Sequence, residues 1–216
     1  MVIFRLFFKS LAVFTLAISL SACGTVMSEN ECATADWRAL GELDGAQGLT
    51  FQQFDERTEA CAKFGFNADQ AAYDRGRYAG LERYCSPESA FETGRLGEPY
   101  RGVCRPEDEE AFLSEFDLGL ELYRRETAYA EAIKNYEDAV QSLGQHKKDL
   151  RVARNRIRDN NLANEDRETT QRDIEYHRRE IDALEYNLPL LEADIDRAGS
   201  ELDSFKESLT RAGRIL

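Results

Sequence analysis

The sequence predicts an all-α protein: a small disulfide-stapled helical head followed by a long antiparallel coiled-coil helical hairpin. Three observations carry this. Apolar residues recur at alternating steps of three and four over two long C-terminal runs, with one asparagine-rich break between them. Four cysteines fall within residues 32–104, among short segments that begin on capping residues and stop at glycine or proline. An apolar leader ends at Leu20-Ser21-Ala22-Cys23, the form of a processing site in an exported chain.

The leader carries Arg5 and Lys9 ahead of the apolar run Leu11–Leu20, which is too short for a comfortable membrane span. Residues 1–22 therefore read as a signal peptide, and Cys23 as the lipidated first residue of the mature chain. Gly24 rather than Asp follows it, so the expected address is the outer membrane of a Gram-negative envelope, lipid-anchored and facing the periplasm. Residues 23–31 read as a polar tether.

The formal net charge is −13, and removing residues 1–22 takes away two bases and no acid, leaving −15. Nucleic acid is then an unsuitable partner, because phosphate binding needs a basic face. With Cys23 lipidated, Cys32, Cys61, Cys85 and Cys104 remain, an even number in an oxidising compartment, and two disulfides follow. Zinc ligation would call for C-x-x-C spacing, which is absent, and both histidines lie far along the chain, so neither a metal nor a cofactor is expected.

Within the head, residues 32–122, the order of short helices can be read from their punctuation. Asp36 to Gly48 forms a helix dissolving into a glycine-rich turn. Thr50 to Gln53 has capping-box form, and Phe51, Phe54, Thr58 and Cys61 follow at helical spacing up to a stop at Gly65. A helix from Asn67 carries Tyr73, Gly76, Gly80, Leu81 and Tyr84 on one side, and Ser86-Pro87 opens another. If helices 50–64 and 69–84 pair antiparallel, Cys61 lies roughly 20 Å from Cys85, well beyond the ~7 Å a disulfide tolerates. That leaves Cys32–Cys61 with Cys85–Cys104 as the loop-local choice, and Cys32–Cys85 with Cys61–Cys104 open. An aromatic residue and a glycine recur one turn apart at Trp37/Gly41, Tyr73/Gly76 and Phe116/Gly119, which reads as close helix crossings covered by aromatics.

From Pro106 acids fill a first helical turn. In the hairpin, residues 123–216, the first apolar series runs Tyr129, Ile133, Tyr136, Val140, Leu143, Lys147, Leu150, Arg154, Ile157. The second runs Ile174, His177, Ile181, Leu184, Leu188, Leu191, Ile195, Ala198, Leu202, Phe205, Leu209. A turn near residues 159–164 folds one onto the other, returning Phe205 to Leu118 and Leu209 to Ser114 over a rod of roughly 60 Å. A parallel intermolecular coiled coil is the rival arrangement, which leaves oligomeric state open. Pro189 is expected to kink the second helix. Between Lys147 and Glu180 bases outnumber acids ten to eight, against strongly acidic flanks. Lys147, Lys148, Arg151, Arg154 and Arg158 thus mark the tip as a candidate surface for an anionic partner.

The pattern Cys32-x3-Asp36-Trp37-x3-Gly41-x2-Asp44-Gly45-x2-Gly48, with Cys61-x3-Gly65, Tyr73-x2-Gly76-x3-Gly80-Leu81-x2-Tyr84-Cys85 and Tyr100-x-Gly102-x-Cys104, resembles a proteobacterial lipoprotein family. The family is catalogued as domain of unknown function 2799, and the resemblance covers about residues 30–124. It implies an address and a fold, and supplies no catalytic residues.

No G-x-S-x-G, P-loop or H-E-x-x-H motif occurs, and the two histidines sit on the coiled coil, where a register-setting polar residue is the commoner role. The function expected is therefore non-catalytic, an envelope adaptor or scaffold touching a periplasmic protein or peptidoglycan through the hairpin. A ligand pocket in the head around Trp37, Asp36, Asp44, Tyr73, Arg77 and Tyr100 is the alternative. A peptidoglycan hydrolase using Asp36 with Asp44 or Glu42 is the second alternative, since glycoside cleavage needs paired carboxylates.

Overall fold

The chain is described by a computed structural model covering residues 27–214; the segment expected to be a signal peptide, and Cys23, expected to be lipidated, lie outside the described residues. Five short helices build the head: α1 (Glu29–Ala33), α2 (Trp37–Ala46), α3 (Gln52–Ala62), α4 (Gln70–Tyr84) and α5 (Pro87–Arg95). Two long ones follow, α6 (Pro106–Arg156) and α7 (Asn164–Arg211), and no strand occurs among the described residues.

Local chemistry sets the helix starts. Ser28 and Glu31 form a full capping box on α1, Asp36 accepts from the Ala39 N–H, Asp69 from Ala72 and Ser86 from Ser89. Two expectations shift. Residues 28–31 are not tether, because Ser28 caps α1 and Met27 is buried with its sulfur 3.9 Å from Cys61 Sγ. The Thr50 capping box does not form; α3 opens on Phe51 with no side-chain cap, and main-chain turns close it.

The disulfides are Cys32–Cys61 and Cys85–Cys104, with Cα separations of 5.3 and 5.7 Å. Both separations lie within the span a disulfide bridges. The helix partner of α4 is α2, not α3, and the reason lies in the glycines. A Cβ on Gly41 would run into the Tyr73 carbonyl and one on Gly76 into the Arg38 carbonyl; Gly45 and Gly80 repeat this one turn on. Backbones touch here, and only residues without a side chain permit it.

The same plan occurs twice. Gly45 and Gly80 abut across α2 and α4 as Gly94 and Gly119 do across α5 and α6. Gly48 (φ 61°) lies under the ring of Tyr84, four residues after Gly80, as Gly97 (φ 69°) lies under Tyr123, four after Gly119. Tyr73 and Phe112 hold equivalent places seven residues before Gly80 and Gly119, and both are fully buried. Each unit has its own core and its own disulfide: Trp37, Phe54 and Tyr73 around Cys32–Cys61, and Phe112, Phe116 and Ala90 around Cys85–Cys104. Tyr84 joins them, stacking on Phe112 at 5.3 Å.

The head and the rod share α6, so the boundary expected at residue 122 falls inside one unbroken helix of 51 residues, about 75 Å long. At the base Leu202, Leu209 and Phe205 return to Leu118, Leu122 and Phe91, as the reflected spacing requires. Arg214 closes the end with an ion pair to Glu115. Further out, Leu150 and Ala153 pack against Ile174 and Ile181. The α7 series falls on the seam throughout, whereas on α6 the distal seam residues are Ala139, His146, Leu150, Ala153 and Ile157. Val140, Lys147 and Arg154 point outward instead, since burying two alanines and an imidazole costs less than burying a lysine and an arginine. α7 passes through Pro189 without a break.

Candidate functional site

Two places gather polar chemistry: a buried cluster in the first head unit and the distal half of the rod. The buried cluster begins with Asp44, in the stretch where the Asp36–Gly48 helix was expected to dissolve into a glycine-rich turn. Helix α2 instead continues through it and carries its carboxylate into the interface of α2, α3 and α4. Arg57 from α3 clamps it with both guanidinium nitrogens, one pair at 2.9 Å and the other closer. The Tyr73 hydroxyl from α4 donates to Asp44 Oδ2 at 2.8 Å. Asp44 and Tyr73 are 1% and 0% exposed and Arg57 5%, so the charges are withdrawn from water and satisfied by one another. Burial, and then the bond to the Asp44 carboxylate, push the Tyr73 hydroxyl far above the ordinary tyrosine range.

The other residues singled out in the head divide between its two cores. Trp37 is buried edge-on against Phe54, with ring centroids 5.8 Å apart. Arg77 donates to the Leu49 carbonyl at 2.5 Å, tying the α2–α3 loop to α4. Tyr100 lies in the second unit, its hydroxyl donating to Glu109 and accepting from the Cys104 N–H. Trp37, Asp44, Tyr73 and Arg77 therefore come together, and Tyr100 does not join them. Asp36 is occupied as the α2 cap and Glu42 by an ion pair with Arg83, so the carboxylates proposed for hydrolysis each hold a structural contact. Arg57 escaped sequence reading, because a buried arginine looks like any surface base until its partner is known.

On the rod, Arg151, Arg154 and Arg158 line a groove with Lys147, over a floor of Leu150 and Ile181. Lys147 is bound to Glu185 at 2.7 Å and Arg156 to Asp166 at 3.2 Å. Lys148, Arg151, Arg154 and Arg158 are exposed and have no ion-pair partner among the described residues. The two histidines meet here: His146 and His177 face each other with Nδ1 atoms 2.9 Å apart, one ring donating to the other. Only His177 was legible as a seam residue; the tighter packing of alanine against the partner helix rotates His146 in beside it. No three His, Cys, Asp or Glu side chains stand together in a metal-ligating group among the described residues.

Residues 36–121 match the family described as Protein of unknown function (DUF2799). The matched span starts at the α2 cap and ends in α6, enclosing both glycine crossings. No curated protein and no solved structure matches the chain. No helix among the described residues is long and apolar enough to cross a membrane.

Proposed function

We propose that this protein is an outer-membrane lipoprotein, anchored through Cys23 and facing the periplasm, that acts without catalysis as an envelope adaptor. Its rod presents a basic distal groove to an anionic periplasmic protein or to peptidoglycan. The observation that carries the reading is the contrast between the two polar sites. The Asp44–Arg57 pair of the head is sealed inside its core, whereas Arg151, Arg154 and Arg158 line one exposed groove at the far end of an otherwise acidic chain. Burial of Met27 supports a short tether. Only residues 24–26 separate Cys23 from the packed head, a reach of about 14 Å, so the head would rest at the lipid surface.

The test is photo-crosslinking in cells from a probe at Arg158 and from a second at the exposed head residue Tyr78, the second repeated after residues 145–180 are replaced by a short turn that keeps the remaining heptads in phase. An adduct that needs the distal segment and weakens in Arg151→Glu/Arg154→Glu supports the reading. An adduct that persists after its removal places the contact on the head and refutes it.

A further inference from the structure

The back of α7, turned away from α6, carries a second apolar set: Tyr186, Pro189, Leu190 and Ala193, spaced i, i+3, i+4, i+7. All four are exposed, Tyr186 by 75% and Leu190 by 56%. Exposed apolar groups gathered on one helix face mark a contact. We infer that this face is the two-fold interface of an antiparallel homodimer in which two α7 helices pack back to back.

The apolar set fixes the axis. Only reversal about the point between residues 189 and 190 pairs all four with themselves, Tyr186 against Ala193 and Pro189 against Leu190. The charges play no part in that choice, so their placement is an independent check. Along the same face, also exposed, the axis sets Asp182 opposite Arg197, Arg172 opposite Glu207 and Glu168 opposite Arg211. Arg179 and Glu175 meet Ser200 and Ser204. No like charges meet over a face of about 65 Å. Self-complementarity of this kind is what an isologous two-fold contact requires. The steps along the face alternate between three and four on each side of Pro189 and Leu190, where one extra residue enters, so the mean step is about 3.6 residues and the set stays on one side of a straight helix. Of these groups Arg197 also pairs with Asp194 on its own helix, a bond it can share at the surface.

The arrangement goes beyond the adaptor reading and does not depend on it. It puts four helices in a flat row, sets the heads roughly 60–65 Å apart, and lays each basic tip beside the base of the other rod.

The test uses single cysteines added to the full chain, with Cys23→Ser to keep it free of lipid, and mild oxidation at micromolar concentration. Leu190→Cys, next to the axis, should crosslink to itself. Ser200→Cys should not, because its two copies lie about 30 Å apart, but should crosslink when mixed with Arg179→Cys. In sedimentation equilibrium Asp182→Arg should weaken dimerisation about tenfold, and Asp182→Arg/Arg197→Asp should restore it. A monomer at tens of micromolar, a Ser200→Cys self-crosslink, or a dimer indifferent to Leu190→Glu would each overturn the inference.

Discussion

Removing the Asp44 carboxylate should cost the head a large share of its stability. Asp44→Ala would leave Arg57 charged, 5% exposed and without the only anionic partner it has among the described residues, and would strip the Tyr73 hydroxyl of its acceptor. Breaking one side of a buried ion pair costs about 3–5 kcal/mol, and the orphaned hydroxyl overlaps with rather than adds to that cost. Against a total of about 5–15 kcal/mol this is a third or more of what holds a domain together. Trp37, the one tryptophan in the chain, is buried in the same core and reports its unfolding by fluorescence. In urea, with disulfides intact, the midpoint should fall by about 2 M at unchanged slope. Asp44→Leu/Arg57→Met/Tyr73→Phe should return to within about 1 kcal/mol of wild type, since an apolar replacement of a buried pair is close to neutral. If Asp44→Ala unfolds within 1 kcal/mol of wild type, or the triple variant is no better than the single, the cluster does not hold the three helices and its role must be sought elsewhere.

Gly80→Ala should destabilise by about 1–3 kcal/mol or more, because its Cβ meets the Glu42 carbonyl and Ala46 nitrogen, whereas Gly144→Ala, with nothing near it, should stabilise by about 0.5–1 kcal/mol; thermal melts separate the two. The bridges span 29 and 19 residues, so converting either pair to alanine should remove about 3–4 kcal/mol in a urea titration. His146→Leu/His177→Leu should raise hydrogen-exchange protection of the distal rod, and His177→Leu alone should lower it by leaving the His146 ring unpaired. The raised Tyr73 hydroxyl contributes stability that is complete below the ordinary tyrosine range near 10 and is lost as pH rises above it; Tyr73→Phe should flatten that alkaline decline in urea midpoints taken between about pH 9 and 11.

The rod was the most legible part, because a two-helix seam repeats one local rule many times and tolerates a misplaced residue. Lys147 and Arg154 were put on it by spacing alone, and the side-chain cost of burying them moved the stripe by one position. Reach set aside Cys61–Cys85 and left two pairings open, of which the loop-local one is found, even though the assumed neighbour of α4 was wrong. The head's pairing was harder. Gly41-x3-Gly45 and Gly76-x3-Gly80 stand plainly in the chain, but a glycine's role as a crossing point depends on a second glycine far away in sequence. Arg57 and Asp44 were hidden for a related reason: thirteen residues apart, each resembles surface charge until α2 and α3 fold together. The doubled plan was obscured because its landmarks are glycines and backbone contacts rather than a repeated string of side chains.

Because α6 enters the Gly94–Gly119 crossing and leaves it as one arm of the rod, the head works as a clamp on a lever with no joint between grip and arm. From Gly119 to Arg156 the arm is about 55 Å long. A tilt of about 5° at the grip would sweep its far end through about 5 Å, a full helical turn. Backbone-to-backbone contact at the crossing leaves almost no slack for such a tilt. Aim is therefore set where the helix is held, and a single methyl group added at Gly94 or Gly119 would redirect the whole arm.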